Sequence, residues 1–280
     1  MFEKTITVGL GVLAVSSIAW LVYHTHTQEE HVLITGGSVG EEYYGLEEKK
    51  PDEAIKKFDL LDPECAPEDM LNKIMYGYHI MLDTKKNAAE FSGNALNCNN
   101  CHFSGGNTLG GKNRGISLVG VSAAYPRYSK RDKKEISLVD RLENCFKRSM
   151  NGKAPPRDSL QMESLVAYLH WISSEVEDAS MLPWLGLGPV PSAHTPDAAN
   201  GKIIYKNNCM ICHKENGEGS EEVPPLWGDQ SFNDGAGMNT LPMLSSFVWQ
   251  NMPYGEATLT PEEALDVAAY IISQPRPHFK

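Results

Sequence analysis

The pattern of apolar and polar positions marks two amphipathic helices, each preceded at a distance by a shorter segment that can be helical. One helix runs from about Ser159, with Leu160, Leu165, Val166, Leu169 and Ile172 at a spacing near 3.6 residues and Asp158 or Ser159 as its cap. The other opens at Thr260-Pro261-Glu262-Glu263, which supplies an N-cap, a proline in the first turn and a capping-box glutamate. Leu265, Val267, Ala268, Tyr270 and Ile271 make its buried stripe. The shorter segments are 69–82 and 197–207. Val166-Ala167-Tyr168-Leu169 echoes Ala268-Ala269-Tyr270-Ile271, so the second half repeats the plan of the first. β signals are weak throughout, and the expected fold class is all-α.

Ahead of this repeat, an uncharged apolar run extends from Thr5 to Tyr23, close to the length a helix needs to cross a bilayer. Lys4 precedes it, the next Lys or Arg is Lys49, and six glutamates fall between Gln28 and Lys49. That asymmetry predicts an N-terminal transmembrane helix with the bulk of the chain outside, in the periplasm and held at the inner membrane. A cleaved signal peptide, with Ser17-Ile18-Ala19 as its small-residue site, is the rival; the anchor is favoured because the apolar run continues through Trp20 to Tyr23. The expected division is an anchor over 1–27, an acidic tether over 28–51, a first domain over 52–178, a linker over 179–196 and a second domain over 197–280. The linker segment from Met181 to Pro191 is too rich in Pro and Gly for a helix and too apolar for a free tether, so it should pack along both domains.

The formal net charge of −11 over 280 residues argues against a nucleic-acid partner. One region departs from it. Between Pro126 and Arg148, eight Lys and Arg residues face four carboxylates.

The chemistry is carried by two pentapeptides, Cys98-Asn99-Asn100-Cys101-His102 and Cys209-Met210-Ile211-Cys212-His213. In C-x-x-C-H the two thiols form thioethers with the vinyl groups of haem c and the histidine gives the iron its proximal nitrogen. A zinc knuckle would need further Cys/His pairs, and a thioredoxin-like site a βαβ pattern; neither occurs. Two covalently bound haem c groups are therefore expected, in two small class I cytochrome c-like domains.

Four of the six cysteines are used in this way, which leaves Cys65 and Cys145. Outside the cytoplasm such a pair would ordinarily form a disulfide. The charged surroundings of Cys145 favour a second reading, in which it is the sixth ligand of the first iron, with Met150 as rival and His79 and His170 as weaker candidates. For the second iron, Met252 in Asn251-Met252-Pro253 stands just ahead of the capped terminal helix; Met238 and Met243 compete with it, or simply fill core. A thiolate-ligated haem should have the lower potential and pass electrons to a thioether-ligated one.

Several segments resemble the dihaem thiosulfate dehydrogenases and tetrathionate reductases: Ser92 to Asn97 leading into the first motif, Leu118 to Val121, Arg141 to Gly152, Ser231 to Met238, and Asn251 to Pro253. The resemblance spans about 70–277. It implies interconversion of thiosulfate and tetrathionate, His102 and Cys145 on the first iron, His213 and Met252 on the second, and substrate binding by Arg131, Arg141 and Ser149. It also implies a redox partner, a cytochrome or a quinone-linked protein. Some members carry Lys beside the methionine; Asn251 stands there in this chain. The alternative is a membrane-anchored dihaem electron carrier without a substrate of its own.

Overall fold

The computed structural model describes residues 59–280; the expected anchor and acidic tether lie outside them. Within the described residues no helix is long and apolar enough to cross a membrane.

The first half opens with α1 (Glu68–Leu82) and a short α2 (Thr84–Asn87), runs through loops and short 3-10 turns around the first motif, and continues into a hairpin, β1 (Arg127–Ser129) and β2 (Lys134–Ile136). Helix α3 (Leu138–Asn144) passes into a π-helical turn at Cys145–Ser149, and α4 (Leu160–Trp171) closes the half. The second half comprises α5 (Ala198–Ile204) running into a π turn at Tyr205–Cys209, α6 (Met210–His213), α7 (Leu241–Asn251) and α8 (Pro261–Ile272).

The hairpin departs from the all-α expectation. Its strands are charge-dense, so no apolar alternation announces it. Polar bonds hold it: Ser129 Oγ donates to Asp132 at 2.7 Å, and Asp132 also receives Asn144 at 3.1 Å and Arg148 at 3.3 Å.

The two halves share one packing device. Helix α1 crosses α4, and α5 crosses α8. A methyl group at Gly77 would run into the Ser164 carbonyl and Tyr168 Cβ; one at Gly201 would run into the Asp266 carbonyl and Tyr270 Cβ. Each crossing therefore requires a glycine whose lost side chain lets two backbones touch. The tyrosines that meet these glycines are those of the repeated tetrapeptides.

The buried stripes differ in detail from the periodic reading. On α4 they fall at Met162, Leu165, Tyr168 and Leu169, and Leu160 is exposed. On α8 the unexpected member is Asp266, which is 2% exposed. Its carboxylate receives the His194 ring and the Asp197 N–H at 2.7 Å each and Asn200 Nδ2 at 2.8 Å, tying the linker and the start of α5 to α8. The segment 184–188 packs against both halves. Trp184 Nε1 donates to the Val119 carbonyl at 3.2 Å, Leu187 packs with Met243 and Phe247, and the Gly188 carbonyl receives Gln250 Nε2 at 3.1 Å.

Two outcomes follow from these contacts. Gly201→Ala should cost at least about 2 kcal/mol of unfolding free energy, because backbone rather than a flexible side chain stands in the way; calorimetry of the variant checks it. For Asp266, burial alone would raise the pKa, but the bonds from Asn200, Asp197 and His194 outweigh it and hold the carboxyl below its ordinary value. Such a group contributes fully above its unfolded pKa of about 3.9, and the contribution is lost as pH falls through the lower folded value. Melting temperature should therefore drop below about pH 4 in the wild type and less steeply in Asp266→Asn.

Candidate functional site

The first motif is braced before any cofactor is considered. Thr84, fully buried in α2, accepts the Cys98 N–H on its hydroxyl at 3.0 Å and donates to the Ile80 carbonyl at 2.9 Å. Each asparagine of the motif caps a turn: Asn100 Oδ1 accepts the Asn97 N–H at 2.7 Å, and Asn99 Oδ1 accepts the Gly105 N–H at 3.0 Å. His102 then places Nδ1 at 2.9 Å from the Ile116 carbonyl, and His213 places Nδ1 at 3.0 Å from the Pro224 carbonyl. A carbonyl can only accept, so both rings carry their proton on Nδ1 and keep Nε2 free to bind a metal. Burial pushes the His102 pKa down to about 4 and that of His213 in the same direction, which keeps both imidazoles neutral.

Burial acts oppositely on the thiols, raising Cys98 to about 11, Cys101 to about 12 and Cys209 to about 11. Such thiols are poor candidates for a thiolate metal site or a redox pair. Among the described residues no cluster of three or more His, Cys, Asp or Glu could hold a metal ion. Cys65 and Cys145 are both free thiols, so the alternative reading of a disulfide between them does not hold.

A cavity of about 1190 Å³, its open mouth included, faces the first motif. Cys98, Cys101 and His102 line it together with Leu142, Phe146, Leu165 and Leu169. An apolar slot lined by two thiols and a metal-ready imidazole has the donor chemistry of a covalent haem site. Cys145, Arg141 and Ser149 line the same cavity, as does the rival ligand Met150. The structure thus brings together three of the four residues expected to act on substrate. Arg131 stands apart, exposed in the hairpin turn, with Nη1 donating to the Gly235 carbonyl at 3.0 Å. His79 and His170 are exposed and do not line the cavity.

Further residues line this site, some of them assigned elsewhere from the sequence. Tyr125 lines the cavity; burial raises its pKa, while the charges of Arg141 and Arg127 oppose that rise. Phe232, Met238 and Met243 reach the cavity from the second half, so these methionines face the first motif rather than serving only the second.

The π turn carrying Cys145 and Ser149 is anchored from outside. Its helical ladder supplies the Met150 N–H to the Cys145 carbonyl at 3.0 Å, and the Phe146 carbonyl takes the Gly152 N–H at 2.9 Å. The next three carbonyls turn elsewhere: Lys147 O accepts Asn233 Nδ2 at 2.8 Å, Arg148 O accepts the Asn233 N–H at 3.2 Å, and Ser149 O accepts Asn94 Nδ2 at 2.8 Å. Asn94 and Asn233 sit in two of the segments that carry the family resemblance, and this clamp is the physical content of those segments.

At the second motif, Tyr205, Trp227 and Tyr270 form an aromatic cluster with ring centroids 5.1 to 5.9 Å apart, and the Tyr205 hydroxyl donates to the Lys214 carbonyl at 2.6 Å. Met252 packs in the same apolar cluster as Cys209 and Met210.

The SoxA/TsdA cytochrome c domain family matches residues 88–177, and the cytochrome c family matches residues 198–275. The chain is 40% identical over 224 residues to a thiosulfate dehydrogenase of Thiomonas intermedia (strain K12), an alignment covering 77% of this chain and 70% of that protein. To the thiosulfate dehydrogenase of Stutzerimonas stutzeri (strain A1501) it is 38% identical over 211 residues, covering 73% of this chain and 67% of the other. Among solved structures, the "as isolated" form of thiosulfate dehydrogenase (TsdBA) from Marichromatium purpuratum superposes with a TM-score of 0.73 at 29% identity over 79% of this chain. The chain spans about half the length of that structure. With two cytochrome c domains, two motifs for covalent haem c and relatives of this identity and coverage, the chain belongs to the thiosulfate dehydrogenase family.

Proposed function

We propose that the protein interconverts thiosulfate and tetrathionate at the first site, with Cys145 as the catalytic sulfur. The observation that carries this reading is the convergence of Cys145, Arg141 and Ser149 on the cavity that Cys98, Cys101 and His102 line. The domain division proposed is 52–178 for the catalytic unit and 197–280 for the relay, with His213 and Met252 as ligands of the relay iron. The N-terminal run over 1–27 holds the enzyme at the periplasmic face of the inner membrane, where a cytochrome or quinone-linked protein exchanges electrons with it.

The bound haems supply two one-electron acceptors, matching the two electrons released when two thiosulfates join. The rest is done by side chains. Arg141 offers a planar fork to sulfonate oxygens and offsets the repulsion between two dianions, and Ser149 donates one further hydrogen bond. The Cys145 thiolate forms a sulfur–sulfur bond with the outer sulfur of one thiosulfate, and two electrons leave. A second thiosulfate then attacks that same outer sulfur, breaking its bond to Cys145; tetrathionate departs and the thiolate is restored. Reversal of both steps gives tetrathionate reduction.

Cys145→Ala should keep both haems and lose at least about 10³-fold in turnover in both directions, since the group that carries the reacting sulfur is gone. Normal thiosulfate turnover in that variant would refute the scheme. Arg141→Gln should raise KM for thiosulfate about 10- to 100-fold, the loss of one charge-assisted hydrogen bond of about 1.5–3 kcal/mol. Asn233→Ala, at a residue that does not line the cavity, should lower kcat about 10-fold or more by releasing the turn that holds Cys145 and Ser149, with haem content unchanged; steady-state kinetics beside a pyridine haemochrome assay separates the two effects.

A further inference from the structure

The two sites are joined by a short run of hydrogen bonds that uses one buried side chain. At one end of it, the Ile116 carbonyl orients His102. One residue back, the Gly115 N–H donates to Asn251 Oδ1 at 2.7 Å. Asn251 is fully buried at the end of α7, its Nδ2 donates to the Phe247 carbonyl at 3.1 Å, and the next residue is Met252. The neighbouring Asn113 N–H donates to the Gln250 carbonyl at 2.7 Å, so loop 113–116 is docked on the end of α7 at two points.

The packing around this run is as specific as the bonds. Gly115 adopts φ +67°, and a Cβ there would press on the Cys101 carbonyl and the Phe103 ring at 2.8 Å. Only glycine lets the loop lie this close to the first motif. Phe103, which follows His102, meets Phe247 and Tyr254 edge to face at 6.0 and 5.2 Å between centroids.

We propose that Asn251 is a positioning residue that couples the two metal sites: it fixes the loop whose carbonyl orients His102 to the helix end that presents Met252. This rests on the assignment of His102 and Met252 as iron ligands. Both hydrogen-bonding ends of the Asn251 amide are used, and both lie out of water, so an apolar replacement leaves the Gly115 amide without a partner. The consequence is directional. A change at position 251, which adjoins only the second-site ligand in sequence, is felt at the first imidazole through Gly115 and Ile116.

The test uses the full dihaem protein, with ferric electron paramagnetic resonance of each site and hydrogen exchange at the Gly115 amide. In Asn251→Leu, Gly115 exchange should accelerate by about tenfold or more, and the first-site resonance should shift together with the second. In Asn251→Asp, which retains an acceptor oxygen, Gly115 should stay protected and the first-site resonance unchanged while the second alone moves. Asn251→Ser, whose hydroxyl falls short of the amide, gives the same contrast with Asp if the leucine variant does not fold. An unshifted first site in Leu and Ser, or an equal shift in Asp, overturns the coupling. Met252→Ala tests the ligand assignment separately: it should abolish the methionine signature of the second site. If that signature survives, the assignment fails and the coupling with it; if it is lost while Asn251→Leu spares the first site, the coupling alone falls.

Discussion

A π-helical turn widens the backbone ring and pulls successive carbonyls out of the ladder, and the turn at Cys145–Ser149 would leave three of them bare in a half-buried place. Asn94 and Asn233 supply the missing donors. Cys145 and Ser149 are the first and last residues of this turn, and both line the cavity. One donor comes from the loop before the first motif and the others from the second half of the chain. The geometry of the turn is therefore a property of both halves together.

The halves share one plan and differ at their motifs. Each has a glycine-mediated helix crossing, a π turn, and a histidine whose Nδ1 meets a loop carbonyl. The π turn has a different content in each. In the second half it leads directly into the haem motif, as Tyr205–Cys209. In the first it carries Cys145, which lines the same cavity as the motif. The same irregular backbone thus presents an attachment thiol in one domain and a free thiol in the other. Electrostatics diverged as well: Arg141 lends positive charge to the first cavity, which an anionic substrate needs, whereas the second motif is surrounded by an aromatic cluster.

What was legible in the sequence is what local rules encode. The Thr260 cap, Pro261 and Glu263 form the capping box as read, and the two pentapeptides form a 3-10 turn and a short helix. Cys145, Arg141 and Ser149 were reachable because they sit in one segment that resembles a known family. The hairpin was not, since hydrogen bonds to Asp132 rather than apolar alternation hold it. Asp266 and Asn251 were also hidden: polar residues on a helix read as solvent-facing, and only tertiary structure shows the partners that bring them inside. Met238 and Met243 could be placed near a haem from sequence, but which of the two haems they face depends on how the halves dock.

The span between Lys147 and Asn233 bears on the order in which the molecule comes into being. A chain that emerges N-terminus first at about 5–20 residues per second exposes Lys147 well before Asn233, which follows 86 positions later. For that interval, on the order of 4 to 17 seconds, water must satisfy the carbonyls that the asparagine will later take. Until the second half arrives, the turn that carries Cys145 lacks the donors that Asn233 supplies. Maturation of the site is in this sense a late event, timed by the length of chain between its two parts.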